Sequence, residues 1–63
     1  MEKFQVFNHT DGVWASAMAM NKSEAEQFVQ EFPKRFRRQG YYLTVAHARI
    51  APRDVELEVV RVQ

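Results

Sequence analysis

A chain of 63 residues is one domain, close to the lower size at which a chain folds without staples, and the absence of cysteine excludes disulfides, thiolate metal sites and thiol chemistry. Nine Lys and Arg against eight Asp and Glu leave a formal charge of +1, which excludes a molecule that is a polyanion binder over its whole surface. No apolar run is long enough to span a membrane, and "MEKFQVFNHT" lacks the hydrophobic stretch of a signal peptide, so a cytoplasmic protein is expected.

The first element is "EKFQVFN", aromatic and β-branched and bounded by "HTDG". Asp11-Gly12 predicts a hairpin, because glycine accepts positive φ and aspartate closes a local turn. The following "VWASAMAM" alternates Val13, Ala15, Ala17 and Ala19 against Trp14, Ser16, Met18 and Met20. Period-two geometry sends the two sets to opposite faces of a strand over residues 13–20.

"NKSEAEQFVQEF" predicts a helix. Ser23 with Glu26 fits a capping box, and Asn21 with Glu24 offers a second register. Ala25, Phe28, Val29, Phe32 and Phe36 recur at helical spacing and form one apolar stripe. Pro33 interrupts that pattern by removing a hydrogen bond and crowding the preceding turn, so the helix is expected to end or kink near Phe32. Gly40 is placed to terminate the region through a left-handed cap.

"YYLTVAHARI" then alternates Tyr41, Leu43 and Val45 against Tyr42, Thr44 and Ala46, with a bulge expected near His47 to Arg49. "APRD" predicts a turn. "VELEVVRV" closes the chain with Val55, Leu57 and Val59 inward and Glu56 and Glu58 outward. The whole reads as an α+β, two-layer β-β-α-β-β domain over residues 1–63: a four-stranded sheet with one helix, kinked or broken at Pro33, on one face.

One helix covers one sheet face, so large apolar residues are left for the other. Trp14, Met18, Met20 and Tyr42, with Val60 and Val62, are the candidates, and an apolar face of that kind marks a protein contact. For each of them singly, core packing is the bland alternative.

The run "PKRFRRQGYY" is the second candidate. On a helix, Lys34, Arg35, Arg37 and Arg38 fall opposite Phe32 and Phe36 and face water, where cations near a helix C-terminus offset its dipole. Glu31 is placed to pair with Arg35 four residues on. Lys34 repels Arg37 and Arg38, three and four residues on, and a polyanion would relieve that repulsion. Tyr41 and Tyr42 add rings of the kind that stack on unpaired bases. So few cations on a near-neutral chain neutralise few phosphates, which makes any such binding weak and salt-sensitive. "RQGYYLTV" is similar to the aromatic strand of RNA-recognition modules only at its glycine and first tyrosine.

Catalytic chemistry finds little support. His9 lies beside Asp11 in a turn, His47 lies near Arg49, and no further metal-ligand cluster accompanies either. Ser16 and Ser23 have no neighbouring base, and Gly12 and Gly40 are too few for a phosphate loop. No cofactor, metal or small-molecule ligand is expected.

"GYYLT", followed by "RIAPRDVELEVV", resembles short uncharacterised bacterial proteins with a G-Y-Y-x-T, then R-I-x-P-x-D-V-x-L-E-V pattern. The match runs over Gly40–Thr44 and Arg49–Val59, under half the chain, and implies no activity. It implies that the C-terminal hairpin and its proline turn are a recurring structural unit. The expectation is a non-enzymatic interaction module, self-associating or partner-binding, with weak nucleic-acid binding as the alternative.

Overall fold

The computed structural model describes residues 1–63. Strand β1 (Phe4–Asn8) is the centre of an antiparallel three-stranded sheet of order β2-β1-β5, with β2 over Val13–Trp14 and β5 over Leu57–Arg61. Helix α1 (Lys22–Glu31) packs on β1 and β5. A separate two-stranded hairpin joins β3 (Tyr42–Leu43) to β4 (Arg49–Ile50). The fold is therefore a small α+β unit, and the single four-stranded sheet expected from the sequence is divided into sheets of three and two strands.

Along β1 the alternation is clean. Phe4, Val6 and Asn8 are buried on the helix side, and Gln5 and Phe7 point the other way. Every residue of β1 has a partner on β5, from Phe4 opposite Arg61 to Asn8 opposite Leu57. Gly12 adopts φ 68°, as the hairpin turn requires, and the turn is closed by the Asn8 Oδ1, which accepts from the Asp11 N–H at 3.0 Å.

The strand expected over 13–20 lasts only two residues. A regular ladder from the Phe7–Trp14 pair would set Phe4 opposite Ala17, but Phe4 pairs with Met20 instead, so three residues are inserted. Ser16 holds the departure. Its N–H and that of Ala15 both donate to the Val6 carbonyl, at 3.3 and 2.8 Å, while its Oγ accepts from the Val6 N–H at 2.9 Å. A serine hydroxyl here replaces a strand partner, the competition by which short polar side chains interrupt ladders. An odd insertion reverses faces. Met20 thus lands on the helix side, against the core, and not beside Trp14.

Helix α1 is capped by Asn21, not Ser23. The Asn21 Oδ1 accepts from the Glu24 N–H at 2.7 Å, and the Asn21 N–H donates to the Glu24 carboxylate at 3.0 Å. Asn21 follows directly on the Met20–Phe4 bridge, whose extended backbone leads into the extended φ of a cap residue and sets the register. The helix closes at Phe32, whose N–H donates to the Phe28 carbonyl. Pro33 then sits in the first turn of a 3₁₀ segment, Phe32–Phe36, where a missing N–H costs no bond. Gly40, at φ 80°, ends this region with its N–H on the Phe36 carbonyl at 2.7 Å.

Beyond it, the continuous strand expected over 41–50 is a hairpin. Its reversal is made by the Thr44 N–H donating to the Ala48 carbonyl and the His47 N–H to the Thr44 carbonyl, both at 2.9 Å. His47 adopts φ 63°, and the Thr44 Oγ1 accepts from the Ala48 N–H at 3.0 Å. The bulge expected here is a full turn, written without a glycine. "APRD" forms the short 3₁₀ turn Pro52–Asp54 that leads into β5.

The buried apolar residues are Phe4, Val6, Ala25, Phe32 and Val55. Ala25 ends at its Cβ, which lets α1 lie close on Phe4 and Val6, and Ala15, Met20, Phe28, Val29, Leu57 and Val59 ring this contact. Phe28, Phe32, Phe36 and Tyr42 form a second, aromatic layer, the ring centroids of successive phenylalanines lying 6.3 and 5.2 Å apart.

Ser16→Ala leaves the buried Val6 N–H without its acceptor and is expected to lower stability by about 1–3 kcal/mol. Met18→Ser, in the same loop and 77% exposed, should stay within about 0.5 kcal/mol of the parent. Urea unfolding of the two variants checks the contrast; equal effects would contradict the role given to the hydroxyl.

Candidate interaction surfaces

The sheet has one covered face and one bare face. Register places Trp14 and Glu58 opposite Phe7, and Val60 opposite Gln5, all on the side away from α1. The Trp14 and Phe7 rings meet edge-on with centroids 5.1 Å apart, and Phe7 also meets the His9 imidazole edge-on at 4.8 Å. Trp14 is 49% exposed. At the rim, the His9 Nε2 lies 2.6 Å from the Glu58 Oε1, an exposed pair on an open strand surface. No groove is lined by either residue.

Of the four residues expected on that face, Trp14 alone is there. Met18 stands in the loop that the three inserted residues create. Met20 is packed against the core from the helix side. Tyr42 is withdrawn to a different place, since β3 does not join the main sheet. Its ring packs on Phe32 and Phe36, with centroids at 5.9 and 5.2 Å.

The Tyr42 hydroxyl is the link between the two sheets. It donates to the Asp11 carboxylate and accepts from the Asn8 Nδ2 at 3.0 Å, and the other Asp11 oxygen accepts from the Val45 N–H at 3.0 Å. The turn after β1 is thereby tied to the hairpin through side chains, without a shared ladder. Burial, and then the hydrogen bond to Asp11, hold the Tyr42 phenol above the ordinary tyrosine value.

The cations do not gather as the run "KRFRR" suggested. Arg35 folds back over the Phe28 ring, 4.6 Å from its centroid, and lies 5.7 Å from that of Phe32. The expected Glu31–Arg35 pair is not formed; the Glu31 carboxylate accepts from the Gln27 Nε2 at 3.5 Å. The Tyr41 ring is covered by Arg49 at 4.5 Å. Arg38 is exposed and enters no ion pair. Lys34 and Arg37 instead share a cleft of about 260 Å³ with Arg53, walled by Pro33, Ala51 and Pro52. No carboxylate lies within ion-pair distance of these three cations.

Sequence reasoning missed Phe7 and Arg53. Phe7 was recoverable, because a hairpin at Asp11-Gly12 sets it against Trp14. Arg53 was not, because only the packing of the Pro52–Asp54 turn against the 3₁₀ segment brings it near Arg37.

Comparison with protein-family models, with curated proteins and with solved structures finds no match. No helix is long and apolar enough to cross a membrane.

Tyr42→Phe leaves Asn8 and Asp11 without their common partner and is expected to cost about 1–2 kcal/mol. Since the folded state keeps the phenol protonated above its usual range, the stability this provides is complete below that range. It falls as pH rises through the elevated value. Denaturant unfolding across the alkaline range should show that decline in the parent and lose it in Tyr42→Phe; an identical decline in both would refute the link.

Proposed function

We propose that this chain is a non-enzymatic protein-interaction module that makes contact through the bare face of its three-stranded sheet. The observation that carries the reading is Trp14: half exposed, on the face that α1 does not cover, with its ring already ordered against Phe7. A large ring held in place before contact loses little freedom on binding, and tryptophan is a frequent anchor of protein interfaces. Val60 extends the apolar area, and the His9–Glu58 pair supplies a polar rim.

Trp14 is the only tryptophan, so its fluorescence reports on this face alone. On contact with a partner or with another copy through the face, its emission should move to shorter wavelength. Trp14→Ser should abolish the association while leaving the unfolding midpoint near that of the parent. Emission that stays at the solvent-exposed wavelength in every complex the protein forms would refute the reading.

A second reading rests on the cleft of Lys34, Arg37 and Arg53, whose unpaired charges favour weak binding of a nucleic-acid backbone. Three phosphate contacts to a single strand give a slope of about −2 for log K against log salt. Titration of a labelled single-stranded oligonucleotide at low and moderate salt, with Arg37→Glu and Arg53→Glu, tests it. Binding that ignores salt, or is unchanged in the variants, removes it.

A further inference from the structure

The order β2-β1-β5 leaves the outer side of β5 without a neighbour. Antiparallel strands turn alternate residues toward and away from each partner. The His9 N–H donates to the Glu56 carbonyl at 2.8 Å and the Val62 N–H to the Lys3 carbonyl at 2.8 Å, so the even-numbered residues of β5 face β1. Leu57, Val59 and Arg61 therefore direct their N–H and C=O groups outward, as three consecutive open ladder positions. An open edge of this kind is a template for another strand unless it is blunted, and here neither proline nor bulge interrupts it.

Beside the edge lies a groove of about 390 Å³ between α1 and β5, lined by Val29, Leu57 and Val59 with Glu26 and Gln30 at its rim. Leu57, Val59 and Arg61 sit on the helix side of the sheet, because they pair with Asn8, Val6 and Phe4. Arg61 itself is held by no strong partner: its Nε donates to the Gln63 carbonyl at 3.2 Å, and Glu2 lies 3.9 Å away on an exposed surface.

We infer that β5 pairs antiparallel with β5 of a second copy of this chain, about a two-fold axis at Val59. That register sets Val59 against its own counterpart and Leu57 against Arg61 of the other copy, so all three open positions on each strand find partners. A two-fold centred on Glu58 would oppose two carboxylates, which is destabilising. In the Val59 register the guanidinium of one copy lies over the groove of the other, next to Glu26, and the symmetry makes that contact twice. The apolar groove residues of the two copies meet beneath it. The result is a continuous six-stranded sheet with both helices on one side. This goes beyond the bare-face reading and stands apart from it, because it rests on the sheet edge and not on the Trp14 face.

The two surfaces can be separated experimentally. Sedimentation equilibrium of the full chain is expected to show a monomer–dimer equilibrium, with Trp14 emission unchanged across it because β2 is the strand farthest from β5. Val59→Pro removes an outward N–H, which no intrachain bond uses, and should abolish the dimer. Glu26→Arg or Arg61→Glu alone should weaken it about tenfold, since each reversal acts at two symmetric contacts. The two reversals together should restore it, which loss of folding would not do. A strict monomer, a dimer indifferent to Val59→Pro, or a dimer whose formation shifts Trp14 emission would each overturn the inference; the last would leave the bare-face reading standing.

Discussion

The three-stranded sheet and the helix on it meet at Val6. Its side chain is fully buried beneath Ala25, its N–H is taken by the Ser16 hydroxyl, its carbonyl accepts from Ala15 and Ser16, and Val59 faces it from β5. A chain this short buries few side chains completely, so its central strand must serve both neighbours and the helix at once. The Ser16 bond satisfies β1 while releasing residues 17–19 from the ladder, and that release places Met20 under the helix. Beyond the Ser16 bonds, Met18 is exposed and Met20 joins the core.

The second organising device is polar. Asn8 is buried to 3% exposure, and its amide is used at both ends, Oδ1 closing the hairpin turn and Nδ2 reaching Tyr42. With Asp11 taking the Tyr42 hydroxyl and the Val45 N–H, a small network replaces the strand pairing that would have joined the hairpin to the main sheet. A fully paired network of this kind imposes geometry as well as stability, because each member is costly to leave unpaired. The aromatic layer of Phe28, Phe32, Phe36 and Tyr42 fills the space below it, and Arg35 covers one side of that layer.

These arrangements divide the surface into regions of different character. The bare sheet face carries packed aromatic rings with the hydrogen-bonded His9–Glu58 pair at the rim. The end of the helical region carries cations without carboxylate partners. The outer side of β5 carries unpaired backbone groups above an apolar groove. The first and third follow from one helix on three strands: a single rod covers one face over β1 and β5, and reaches neither the opposite face nor the strand's outer side. The cations are brought together by the Pro52–Asp54 turn against the 3₁₀ segment.

What the residues alone determined is what depends on neighbours in the chain. The alternation of "FQVFN", the Asp11-Gly12 turn, the apolar stripe of α1, the break at Pro33 and the cap at Gly40 are all local, and each is legible because φ/ψ preference and period act over a few positions. Tertiary structure decided the rest. The sequence "VWASAMAM" alternates as a strand should, but the Ser16 hydroxyl found a buried N–H on another strand, and the odd insertion it permitted reversed Met20. The hairpin turn at Thr44–Ala48 carries no glycine to announce it; Thr44 holds the left-handed His47 from within the turn, and Asp11 takes the Val45 N–H from outside it. Tyr42 left the sheet for Asp11 and Phe36, and Arg53 joined Lys34 and Arg37, through contacts between residues distant in sequence. Periodicity reports which side of its own strand a residue occupies; it carries no information about which strand, or which side chain, will stand opposite.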